Sequence, residues 1–150
     1  MALHQVIWHS LCYPLTVTSF SETQALLIVS KLYHTLLPHL GANHFYPLDL
    51  QHVPPKFQGL GLPHPFWEQG CAALKLFLEF SNTAWPEHML IQTSLEYLQL
   101  EVGSGVKVLQ VDFNHWGFLA TECWLKSLWK FAHFAQICIL LDKPFCPLPQ

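Results

Sequence analysis

Arginine is absent from this chain, and charge of either sign is scarce. All seven basic residues are lysines against ten acidic ones, the formal charge is −3, and charged residues fill 11% of the 150 positions. Soluble domains ordinarily carry about 25%. Arginine is the side chain best matched to phosphates and guanine edges, and a dedicated nucleic-acid binder gathers its basic residues into a patch. Scattered lysines therefore argue against strong independent binding of nucleic acid. Cys-x-x-Cys pairs are missing too. The five cysteines, Cys12, Cys71, Cys123, Cys138 and Cys146, are odd in number and widely spaced. That speaks against a disulfide framework or a zinc site and for reduced thiols in a cytosolic or nuclear protein. No basic stretch precedes the first apolar residues, so secretion is not expected. The apolar run Phe134–Leu141 is too short to cross a bilayer.

Catalytic signatures are missing as well. The ten histidines contain no His-Glu-x-x-His pattern, and His34 and His39 are separated by Pro38. The aspartates Asp49, Asp112 and Asp142 stand far apart, with nothing to signal two convergent carboxylates. No serine elbow, Cys/His signature or phosphate-binding glycine loop occurs. No catalytic residue, no metal and no cofactor is expected.

What the chain does have is apolar bulk, 51% of its residues with 14% aromatic. That is enough for a core, and with so little charge it leaves apolar surface to face a partner or to aggregate. The length suits a single domain or a piece of one. The expected fold is mainly α: a four-helix irregular bundle with a long Pro/Gly-rich loop and room for short strands. Ala2 to Cys12 reads as a short helix ended by Tyr13-Pro14, within an N-terminal segment 1–20. Ser21-Glu22-Thr23-Gln24 is a capping box. It opens a helix, within 21–41, whose stripe is Leu26, Val29, Tyr33 and Leu36, widened by Ile28 and Leu32. Residues 42–64 form an irregular segment with a structural hinge at Gly59, Gly61 and Pro63. A helical region covers 65–141. Its first helix starts at Pro65, with Phe66, Gly70, Ala73, Leu74, Phe77 and Leu78 inward, Gly70 and Ala73 permitting close packing. The next runs from Pro86 to Gly103 on a seam of Ile91, Leu95, Leu98 and Val102, flanked by Leu90 and Tyr97. Val106 to Phe113 reads as a strand or extended arm, and 114–117 as a turn. The last helix is capped by Thr121 and carries Trp124, Leu125, Leu128, Trp129, Ala132 and Ala135. Residues 137–141 read as a strand or buried extension, and 142–150 as a tail.

Several stretches, in this order, carry a likeness. They are Tyr13-Pro14-Leu15 with Ser19-Phe20-Ser21, then Leu36-Leu37-Pro38-His39-Leu40-Gly41. Next is Pro54-Pro55-Lys56-Phe57-Gln58-Gly59-Leu60-Gly61-Leu62-Pro63, followed by Glu68-Gln69-Gly70. Last come Ser94-Leu95-Glu96-Tyr97-Leu98-Gln99-Leu100-Glu101-Val102-Gly103 and Cys123-Trp124-Leu125-Lys126-Ser127-Leu128-Trp129. From about Tyr13 to Leu141 the chain resembles the C-terminal, thumb and post-thumb part of reverse-transcriptase-like proteins encoded by non-LTR retrotransposons. The resemblance implies a helical region that supports a polymerase and helps hold its template–primer duplex. The family's Tyr-x-Asp-Asp motif does not occur, so two-metal nucleotidyl transfer is not expected. The expected partner is the polymerase core or another protein packed on an apolar helical face. The alternative is weak single-stranded nucleic-acid binding by Lys56, Lys126 and Lys130 with Trp67, Trp124 and Trp129 as stacking surfaces.

Overall fold

A computed structural model describes residues 13–140 apart from Thr16, His44 and residues 83–85. Over these residues the chain is mainly helical, with no strand. It divides into two compact units, residues 1–69 and 70–150. The helix expected over Ala2–Cys12 and the tail 142–150 lie outside the described residues.

In the first unit, residues 13–15 are helical, so Tyr13-Pro14 is part of a helical turn rather than a stop. The capping box forms as its residues demand. The Ser21 hydroxyl accepts the Gln24 amide at 3.3 Å, and the Gln24 side chain accepts the Ser21 amide at 3.0 Å. The helix it starts, α1 (Glu22–His39), buries Ala25, Val29, Tyr33 and Leu37. This stripe turns away from the expected one: Leu26 and Leu36 are only half-buried, and Ile28 faces solvent. A small alanine at position 25 lets the helix lie close on that side, which the count of large apolar residues misses.

Residues 42–64 are more ordered than expected. They hold a short helix, α2 (Leu48–His52), and a 3₁₀ turn at Pro55–Phe57. Pro47 caps the first, and Pro55 starts the second, where its fixed φ suits a first helical turn. The following segment runs back over the end of α2. Leu60 N donates to Leu50 O at 3.1 Å, Gly61 N to Val53 O at 2.8 Å and Leu62 N to Gln51 O at 2.8 Å. Gly59 is required by close approach: a Cβ there would stand 2.0 Å from the Val53 carbonyl oxygen. Gly61 has φ +64°, and so does a residue that pattern reading did not mark, Gln58. The carbonyl of Pro63 accepts the buried Tyr33 hydroxyl, tying this segment to α1. The helix α3 (Pro65–Asn82) follows. In its second turn Gln69 is buried, and its Oε1 accepts the Phe20 amide at 3.4 Å.

The second unit is built on one core. Ala73 and Phe77 of α3 meet Leu95, Leu98 and Val102 of α4 (Pro86–Val102) and Leu125, Leu128, Trp129 and Ala132 of α6 (Trp124–Phe134). The α4 seam is the expected one, with Ile91 at its edge. Leu78, expected inward on α3, is exposed. Gly70 lets the Phe131 ring pack against the helix backbone, since a Cβ at 70 would stand 2.1 Å from it.

Between α4 and α6, where a strand or extended arm was expected, no strand forms. Val108–Gln110 is a 3₁₀ turn that pushes Val108 and Leu109 into the core. Then come α5 (Phe113–Trp116) and a second 3₁₀ turn, Gly117–Leu119, where a simple turn was expected. A lone strand leaves its amides unpaired, whereas a 3₁₀ turn bonds them locally. Residues 137–140 likewise form no strand, although Ile139 is buried. Cys123, not Thr121, caps α6: its Sγ accepts the Lys126 amide at 3.4 Å. Trp129 Nε1 donates to Val111 O at 2.9 Å, which satisfies the indole inside the core.

Candidate interaction surface and histidine cleft

One face of α4 is apolar and uncovered. Met89 and Leu90 are each 69% exposed, Tyr97 63% and Leu100 66%. Their spacing puts them on one side, opposite the buried seam of Leu95, Leu98 and Val102. Besides the Tyr97 phenol two hydroxyls lie among them, and both are turned onto the helix's own backbone. Thr93 Oγ1 donates to Met89 O at 2.8 Å, and Ser94 Oγ to Leu90 O at 2.7 Å. The face therefore presents methyl and ring surface rather than free donors.

Its lower end is fixed by a polar cluster. Glu101 accepts the Thr121 amide at 3.0 Å and the Thr121 hydroxyl at 2.6 Å. These bonds, hydroxyl first, hold the Glu101 carboxyl below its ordinary range. The Tyr97 phenol also donates to Glu101, and this bond with the carboxylate's charge pushes the phenol up. Thr121 is thus the anchor of Glu101, which explains why it is not the cap of α6. Pattern reading placed Leu90 and Tyr97 as flanks of the seam and passed over Met89 and Leu100. The available signal was that α4 carries apolar residues on both sides.

The expected cationic residues have different settings. Lys56 is exposed, its Nζ lying 4.8 Å from the centroid of the Phe57 ring. Lys126 Nζ donates to Ala120 O and Glu122 Oε1, each at 2.7 Å, so its charge is engaged within the second unit. Lys130 is exposed one turn further along α6. Trp67 is 42% exposed, Trp124 half-buried and Trp129 1% exposed, so Trp129 offers no face for stacking a base.

In the first unit a cleft of about 610 Å³ is lined by His52, the segment Gly61–His64, Trp67 and Glu68. The rings of His52 and His64 lie 4.6 Å apart. Burial first, then neighbouring His52, lowers His64 from its ordinary value, while Glu22 pulls the other way. Among the described residues no group of three or more His, Cys, Asp or Glu is placed to hold a metal ion, and no helix is long and apolar enough to cross a membrane.

Comparison with family models, curated proteins and solved structures finds no match for this chain.

Proposed function

We propose that this chain is a non-catalytic thumb and post-thumb region of a retrotransposon reverse transcriptase, acting as a helical packing module. Its partner is the polymerase core, and its docking surface is the face of α4 formed by Met89, Leu90, Tyr97 and Leu100. The observation that carries this reading is the exposure of four large, mainly apolar side chains on one helix face whose hydroxyls, those of Thr93, Ser94 and Tyr97, are spent internally. Exposed apolar patches on otherwise folded units mark interaction sites. Two of the family-like stretches support it, because residues 94–102 fall on α4 itself and residues 124–129 begin α6 behind it. The engaged Lys126 and buried Trp129 weigh against nucleic-acid binding as the main role.

The test is affinity for a fingers-and-palm polypeptide of a non-LTR reverse transcriptase, supplied in trans and followed by calorimetry. The double variant L90K/L100K is expected to weaken Kd by about a hundredfold, roughly tenfold for each side chain removed from the centre of an interface. Its circular dichroism should match the parent, since neither side chain is in the core. Equal affinity of parent and variant, or no binding by the parent, overturns the reading.

A further inference from the structure

His52 closes α2 and His64 immediately precedes α3, and their rings are tilted by 59° at a centroid distance of 4.6 Å. His52 Nδ1 lies 2.9 Å from the Leu62 carbonyl oxygen. A carbonyl only accepts, so Nδ1 carries the proton and the neutral ring leaves a bare lone pair on Nε2. That Nε2 is buried without a partner, and so is His64 Nδ1. Buried polar atoms without partners are few and call for a reason. A neutral lone pair tolerates such a place far better than an N–H⁺ would.

His52 holds the piece of chain to which His64 belongs. His52 bonds Leu62, Tyr33 bonds Pro63, and the amides of Leu60, Gly61 and Leu62 bond the end of α2. We propose that the pair is a pH-sensitive latch: neutral, it keeps residues 60–64 seated on α1 and α2, and on proton uptake it releases them and opens the cleft. A proton added to His64 makes a partly buried cation beside a second imidazole, with no acceptor at its Nδ1. The charged ring relieves this by swinging outward to a carboxylate. The groups that face the pair are Tyr33 and Glu22 of α1 and Glu68 of α3; the Tyr33 ring lies 5.9 Å from His52, and Glu68 is on the cleft rim. The inference stands independently of the packing face on α4.

The sign follows from the lowered value of His64. The seated state binds fewer protons than the released one between the lowered value and the ordinary imidazole value of about 6.5. Seating is therefore complete above that ordinary value and is lost as pH falls toward the lowered one. The loss is about tenfold in the equilibrium for each unit separating the two.

Amide hydrogen exchange of the full chain, corrected for intrinsic rates, tests this together with histidine Cε1–H titration by NMR. Between about pH 7.5 and pH 5, protection at Leu60, Gly61 and Leu62 should be lost progressively, while amides of α6 keep theirs. In the double variant H52Q/H64Q the pH-dependent fall should vanish. Protection that does not change with pH, an equal fall in α6, or a fall that persists in the variant overturns the latch. Should the variant not fold, the wild-type titration decides: imidazoles that titrate at or above their ordinary value while protection holds contradict it.

Discussion

At the scale of single residues, small side chains and caps say more than large apolar ones. Gly70 is the clearest case. It was legible as a close-packing position because it shares the inner face of α3 with Ala73, and the structure places the Phe131 ring against it. Phe131 is 4% exposed and cannot withdraw into solvent. Gly70→Ala should therefore lower stability, since overpacking costs about 1–3 kcal/mol and the gain in helix propensity returns about 1 kcal/mol. Urea unfolding should show a lower midpoint, with part of the loss recovered by adding Phe131→Leu. Other residues were not legible. Gln58 takes φ +64° because the chain must double back beside Gly59, and nothing in its side chain announces that. Thr121 looked like a cap because its residue type suits one, but Glu101, 20 positions earlier, captures it. A bond across such a separation leaves no local pattern.

At the scale of elements, the four long helices were readable because each combines a period near 3.6 with a stop or start residue. The capping box at Ser21 and Gln24 is the best example. Ser21→Ala should cost about 1 kcal/mol, read as a lower thermal midpoint of the first unit. Strands do not form at the two places where a strand or an extended segment was expected, for one physical reason. Residues 106–113 alternate loosely, but alternation stabilises a strand only where a neighbouring strand supplies hydrogen bonds. Here the same residues close 3₁₀ turns and send Val108 and Leu109 inward. The face of α4 was half legible: its seam is the expected one, while of the apolar residues opposite only Leu90 and Tyr97 stand out as flanks and Met89 and Leu100 do not. A helix with two apolar sides belongs to two surfaces, and in this unit one of them is uncovered.

At the scale of the whole chain, scarce charge and abundant apolar residues already implied that some apolar surface would stay outside. Part of that surface lies together on one face of α4. The histidines, by contrast, gave little in sequence, because His52 and His64 stand 12 positions apart and become neighbours only when the glycine-proline segment folds back over α2. The most direct measurement is a hydrogen-exchange footprint of the whole chain with and without a reverse-transcriptase fingers-and-palm polypeptide. The packing account predicts added protection over residues 89–101 and none at the exposed Lys56. Protection centred on Lys56 and Lys130, or no change along α4, would contradict it.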